Sequence, residues 1–340
     1  MANNKIAIIV TWFGPLPVNF NAWLKSAEYN KSIDFLCFFD HEFESNSSNI
    51  KLIKTTLANE VQRIAAAVNS DITIDNAYKF CDLRPFFGIG YKEFLDTYGY
   101  WGYCDIDMVF GDIRSFLTDN VLNENDRFYE WGYLSIFKNE DRMNNLIRMD
   151  GCIYSMNEIF KSKAKCTPEE HYGLHRISEM NEIKWYREKD FADFYIPYSS
   201  FILNQRKNYE KQAFYWENGK VFQAFEEQGK VKVIELAFLH WQKRMPVIKD
   251  DGVENGSYFI TPTALVEKKP GIPTVDQITE INPVLSENEI KEQGKKYRNK
   301  KIRDFLNSSL AQKKIWLRQK WFYFKDSGKI IESKICRNRL

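Results

Sequence analysis

Two carboxylates stand two residues apart at Asp105-Ile106-Asp107. Where a strand ends in a turn, both can reach one divalent cation, and their hard oxygens suit Mg²⁺ or Mn²⁺. A cation held there can bridge a diphosphate and neutralise the charge that grows on it as a leaving group. The bare spacing is common in acidic chains, and two surface carboxylates in a solvated turn would give the same pattern. The context is more telling: aromatic Gly99-Tyr100-Trp101-Gly102-Tyr103-Cys104 precedes the pair and apolar Met108-Val109-Phe110 follows it. A third ligand would come from His41, His171, His175 or His240. His240 lies in Leu239-His240-Trp241-Gln242-Lys243-Arg244-Met245, where one imidazole followed by two cations could ligate a metal and clamp a diphosphate. A structural histidine with two solvated cations reads the same way. Glu169 and Glu170, in Thr167-Pro168-Glu169-Glu170-His171, could supply a catalytic base, or serve only as first-turn acids favoured by a helix dipole.

These residues need a scaffold. Lys5–Thr11 reads as a buried strand by its continuous β-branched run, Asn19–Tyr29 as a helix, and Ile33–Phe39 as a strand ending at Asp40. Ile50–Thr55 gives a third strand and Leu57–Val68 an Ala-rich helix with one apolar face. Alternation of this kind predicts an α/β domain with a mostly parallel sheet, whose ligands bind beyond the carboxyl ends of the strands. Phe128–Phe137 reads as one more strand. Residues 141–163 and 168–180 carry helical patterns. Residues 183–240 read as loops with a strand at Val231–Leu236. Pro246–Glu289, rich in Pro, Gly and acids, reads as a linker or extension holding one strand, Tyr258–Val266.

The 340 residues carry 48 Lys/Arg and 46 Asp/Glu, a net of +2 that hides an asymmetry. Residues 291–340 hold 16 basic and 4 acidic groups, net +12, leaving the first 290 residues at −10. An anionic partner for the tail is the natural expectation. Ile302, Phe305, Leu306, Leu310, Leu317, Trp321 and Phe324 recur there at helical spacing. Basic amphipathic helices with Trp and Phe lie on anionic membrane surfaces. Packing on the body or on a partner copy would use the same stripe, and no nucleic-acid motif supports a third reading. No stretch approaches the roughly 18 apolar residues of a membrane span. The six cysteines are scattered without a C-x-x-C pair, which predicts reduced thiols and a cytoplasmic protein.

Several runs taken together resemble a known family. They are Phe13-Gly14 with Pro17, Trp23, Ser26 and Asn30; Ile33-Asp34-Phe35 and Phe39-Asp40; Lys79-Phe80-Cys81-Asp82-Leu83-Arg84-Pro85 with Gly88; and Trp101 through Asp107 with Phe110-Gly111-Asp112. The series resembles bacterial glycosyltransferase-like proteins of capsule, O-antigen and exopolysaccharide loci, over residues 5–245 and most specifically over 79–112. The resemblance implies a GT-A fold with a metal-binding Asp-x-Asp. It implies that Thr11, Trp12 and Phe13 line the base and ribose, with Asp40 near the base. It implies that Lys79, Asp82 and Arg84 contact uridine or anchor the loop around the donor, although Arg84 could equally pair with Asp82. Asp105, Asp107 and His240 would hold Mn²⁺ or Mg²⁺, and Lys243 would contact the diphosphate.

The expected protein is therefore a hexosyltransferase-type enzyme moving a sugar from a nucleotide donor, UDP by preference, to a saccharide or lipid-linked acceptor. It would divide into a catalytic domain at 1–245, a linker or extension at 246–290 and a basic helical tail at 291–340. The tail would bring it to the inner face of the cell membrane, and no nucleic acid is expected as partner. A nucleotidyltransferase is the alternative, although the loop Thr11-Trp12-Phe13-Gly14-Pro15-Leu16-Pro17 lacks the Lys or Arg it would want. A non-catalytic carbohydrate-binding assembly protein on the same fold is another.

Overall fold

A computed structural model describes residues 3–337 of the chain, with side chains to residue 325. The fold is mixed α/β, with sheets flanked by helices and two long helices at the C-terminal end. The strands, in chain order, begin with β1 (Ile6–Trp12), β2 (Ile33–Phe39), β3 (Ile50–Lys54), β4 (Tyr100–Cys104) and β5 (Met108–Phe110). Next come β6 (Arg127–Trp131), β7 (Leu134–Lys138), β8 (Trp185–Tyr186), β9 (Ala192–Asp193), β10 (Gln212–Glu217) and β11 (Lys220–Glu227). The last are β12 (Lys230–Leu236), β13 (Phe238–His240), β14 (Val247–Ile248), β15 (Ser257–Ile260) and β16 (Ala264–Glu267).

The main sheet has the order β3-β2-β1-β4-β7-β6-β8, with β1 to β4 parallel and β7 running against β4. β1 sits at its centre, and Ile6 through Val10 are buried because both faces are covered, as parallel strands require. One cover is α1 (Phe20–Tyr29), which turns Phe20, Trp23, Leu24 and Ala27 inward; Trp23 stacks on Phe20 at 5.5 Å. The other includes α2 (Leu57–Val68), whose N-cap Thr56 accepts from the Asn59 N–H and whose chain leaves through left-handed Asn69. These elements lie where the sequence predicts them.

Further along, prediction and structure part. The single strand expected at 128–137 is a hairpin, β6 and β7, turning at Gly132-Tyr133. The helical patterns at 141–163 and 168–180 break into short helices, among them Met156–Lys161 and Arg176–Met180. The expected loops before residue 231 hold β10 and β11. The stretch expected as a linker holds β14, β15 and β16, and these join β10 to β12 in a second sheet of order β12-β11-β10-β15-β16-β14. Behind it packs α3 (Val275–Ile281), with Ile278 fully buried. Residues 247–281 are thus structural body rather than connection.

The tail forms α4 (Glu287–Asn307), capped by a Ser286/Glu289 capping box, and α5 (Leu310–Arg337). One face of α5 docks on the body. Ile315 is only 3% exposed and belongs to the core beside the main sheet. Arg318 grips both oxygens of Glu158 at 2.8 and 2.7 Å. Gln312 accepts from the Lys165 N–H at 3.1 Å and donates to its carbonyl at 3.2 Å. The opposite face leaves Leu310, Leu317, Trp321 and Phe324 exposed. Ile315→Ala is expected to cost about 2–5 kcal/mol of stability, and limited proteolysis should then release the tail sooner than in the wild type. Unchanged proteolysis and melting would show that Ile315 does not seat α5. No helix among the described residues is long and apolar enough to cross a membrane.

Candidate functional site

Three short strands assemble the site. After β4 ends at Cys104, the Asp105 N–H donates to the Tyr133 carbonyl at 2.8 Å, tying the turn to the β6–β7 hairpin. β5 then leaves the main sheet and pairs antiparallel with β13, placing Met108 opposite His240. β9 pairs with the other edge of β13 and places Asp193 opposite the same histidine. Paired residues share a face of the sheet. So His240 stands between Asp107 at its Nε2, 3.4 Å away, and Asp193 at its Nδ1, 2.9 Å away. Its ring lies against Tyr133, with 4.5 Å between centroids. One ligand atom each from Asp105, Asp107 and His240 falls within 4.8 Å of the others.

The surrounding groups hold that cluster in place. Arg84 reaches Asp105 Oδ1 at 2.5 Å and donates to the Gly132 carbonyl at 2.8 Å. The second oxygen of Asp107 accepts the Lys243 N–H at 2.9 Å, and its carbonyl accepts the Trp241 N–H. These bonds pin a tight turn in which Gln242 and Lys243 take left-handed φ of 53° and 40°. Burial disfavours charge on both His240 and Asp107. The carboxylates at 107 and 193 nonetheless lift His240 to about 10, and the imidazolium draws Asp107 below its usual range. Two carboxylates and an imidazole fixed through its far nitrogen form a donor set that fits a divalent cation.

Residues 8–269 match the model of a family of unknown function, DUF6625. The chain belongs to DUF6625. No curated protein matches it. In structure this DUF6625 chain is similar to an active-site mutant of LgtC at 12% identity and a TM-score of 0.36, over 83% of this chain and 98% of that one. It is similar to the glycosyltransferase GlyE of Streptococcus pneumoniae TIGR4 at 12% identity and a TM-score of 0.32. That match takes in 55% of this chain and spans just 46% of GlyE. Mouse xyloside xylosyltransferase 1 is similar at 9% identity and a TM-score of 0.27, over 54% of this chain and 77% of that one. At these scores the likenesses carry no functional argument.

The other expected residues of the DUF6625 chain are placed as follows. Thr11 and Trp12 end β1 and Phe13 follows it, all three half-buried at the same edge of the sheet. Asp40 does not stand free: both its oxygens accept the Gly14 N–H at 3.0 Å, holding a loop in which Gly14 takes φ +119°. Lys79 and Asp82 are 2% and 0% exposed, which tells against contact with uridine and leaves the other expected role, anchoring a loop. The loop is the one at residues 164–167. Lys79 Nζ pairs with Asp82 at 2.5 Å and donates to the Ala164 carbonyl, while Asp82 accepts the Cys166 and Thr167 N–H groups. Arg84 pairs with Asp105 and not with Asp82. Lys243 meets Asp107 through its backbone, and its side chain is exposed.

Glu169 and Glu170 follow the anchored loop and flank Gly132, where an added Cβ would come within 3.3 Å of both side chains. Glu169 is 1% exposed, and burial lifts its carboxyl to about 8. Its burial, with Lys165 Nζ 3.9 Å from Oε1, tells against its expected role as a base. Glu170 is less enclosed, and its pKa is raised by burial, with the Asp105 charge adding to it. Because Glu169 is raised in the fold, its contribution to stability is whole below the ordinary value of 4.5 and is lost as pH climbs to about 8. Glu169→Gln is therefore expected to flatten the fall in denaturation midpoint between pH 5 and pH 8. An undiminished slope in the variant would assign that fall to other groups. Asp193 was not expected at the site. Asp193 sits on a two-residue strand that offers no periodicity, and only its long-range pairing reveals it.

Proposed function

We propose that the protein is a metal-dependent glycosyltransferase. It would move a sugar from a UDP-sugar to a saccharide or lipid-linked acceptor during synthesis of a bacterial surface polysaccharide. One observation carries the reading: Asp105, Asp107 and His240 converge beyond the carboxyl end of β4, beside the end of β1. Ligands of open α/β sheets gather at that edge. The residue pattern at 79–112 supports the same reading. Asp105, Asp107 and His240 would hold Mn²⁺ or Mg²⁺, which when bound supplies positive charge opposite a departing diphosphate.

The rest of the work falls to the chain. The exposed Lys243 side chain, next to the turn that Asp107 pins, would meet the diphosphate. Thr11, Trp12 and Phe13 would line the nucleotide. Gly132, lacking a side chain, would let the donor sugar approach the backbone beside Glu170. Glu170 would accept a proton from an acceptor hydroxyl.

Mn²⁺-dependent UDP release across a panel of UDP-sugars tests the proposal. Neither turnover nor binding of any UDP-sugar would overturn it. The exposed face of α5, where Leu317, Trp321 and Phe324 lie among Lys313, Lys314, Lys320 and Lys325, would rest on an anionic bilayer. Co-sedimentation with anionic vesicles should fall when Trp321 and Phe324 become Ser; equal binding would overturn that part alone.

A further inference from the structure

The pairing of β9 with β13 points to one more residue of the site. We infer that Asp193 is a positioning residue: it fixes the tautomer and the ring plane of His240, and through them the affinity of the site for a divalent cation. The inference rests on the proposed reading of Asp105, Asp107 and His240 as ligands.

The geometry leaves Asp193 little freedom. Its Oδ1 lies 2.9 Å from His240 Nδ1 and also accepts from Gln242 Nε2 at 2.6 Å. Its Oδ2 accepts from Asn204 Nδ2 at 3.1 Å, and its carbonyl accepts the Asn204 N–H at 2.8 Å. The carboxylate is therefore held at both oxygens and cannot rotate away from the ring. Asp193 is 3% exposed and His240 5%, so water does not compete for the bond between them. An ionised carboxylate offers only acceptors, so the nitrogen facing it must carry the hydrogen. A neutral His240 is then protonated on Nδ1 and presents a bare Nε2 lone pair toward Asp107 and Asp105. Tyr133 against the ring face and the β13–β5 pairing behind it fix the plane in which that lone pair points.

A buried carboxylate is costly unless paired, and Asp193 pairs with His240 itself. Packing alone would be served as well by an amide, which could still accept from Gln242 or Asn204. What an amide cannot do is hold the imidazole hydrogen with a full charge and make Nε2 a stronger donor. Carboxylates behind metal-ligating histidines act in this way, and their loss typically lowers metal affinity about 10–100-fold.

The test is Mn²⁺ binding to the full chain, read from the electron paramagnetic resonance signal of free Mn²⁺, for wild type, Asp105→Ala and Asp193→Asn. The expected result is binding by wild type, loss in Asp105→Ala, and about 10–100-fold weaker binding in Asp193→Asn with an unchanged circular dichroism spectrum. Wild-type affinity in Asp193→Asn would overturn the inference and leave the ligand reading standing. No binding by wild type would overturn the ligand reading and the inference with it. A second measurement does not depend on the variant folding. Nitrogen-15 shifts of the four histidines in Mg²⁺-loaded wild type should show His240 with its hydrogen on Nδ1. A hydrogen on Nε2 would overturn the inference.

Discussion

Asp107→Ala is expected to lower Mn²⁺-dependent UDP release by at least about a hundred-fold, the scale on which removing one charge-stabilising group slows such a step. Two losses combine in this variant. The cluster gives up one of its three donors. The Lys243 N–H also loses its acceptor, so the turn through left-handed Gln242 and Lys243 loosens. Asp107→Asn separates the two, because the amide oxygen still accepts that N–H while the charge is gone. Asp107→Asn should thus be nearly as inactive as the Ala variant, yet melt close to wild type. Asn retaining most of the activity would place the importance of residue 107 in the turn and remove the case for a cation. Steady-state UDP release at saturating Mn²⁺, with a thermal melt of each variant, decides the matter.

Lys79→Met is expected to destabilise the fold by about 3–5 kcal/mol, since it strands the carboxylate of Asp82 without a counter-charge in the core. The pair is buried on both sides, at 2.5 Å. The damage should be local before it is global. Asp82 also holds the Cys166 and Thr167 N–H groups, and Thr167 sits at φ +58°, a conformation an L-residue adopts only when held. Asp82→Asn keeps one acceptor for that segment and removes the stranded charge, so Lys79→Met with Asp82→Asn should recover part of the loss. Urea denaturation of the single and double variants measures this. A single variant within about 1 kcal/mol of wild type would mean that water reaches Asp82 and screens it.

The two predictions mark what the sequence could and could not disclose. The first 70 residues were legible because each element obeys one rule: β1 is apolar on both faces, and α1 and α2 carry an apolar stripe at helical spacing. β10 was not legible, because Ala213, Phe214, Tyr215 and Trp216 are all buried and no alternation survives. The better signal was in its turn. Asn218-Gly219 takes φ of 47° and 86°, the two positive values that favour Asn-Gly in a two-residue hairpin. Gln228-Gly229 does the same at 54° and 75°. Pro and Gly between 246 and 289 suggested a linker, yet they punctuate short strands of the second sheet. The residue types at 105, 107 and 240 named the candidate cluster in advance. For Lys79 and Asp82 the motif left two roles open, because it gives identity without burial, and only the fold shows that their charges face each other.

The β5-β13-β9 sheet has a consequence for the order in which the protein acquires its chemistry. Each of its strands has two or three residues, and each comes from a distant part of the chain. During synthesis, the main sheet through β4 can form while β13 is still unmade. At that stage Asp105 and Asp107 are present, Arg84 can already pair with Asp105, and His240 cannot yet face them. The nascent domain would be structured while the candidate cluster is still incomplete. Since a ribosome adds about 5–20 residues per second, the stretch from β5 to β13 takes many seconds to emerge. Residue 240 can complete the cluster only after β13 has emerged and paired with β5.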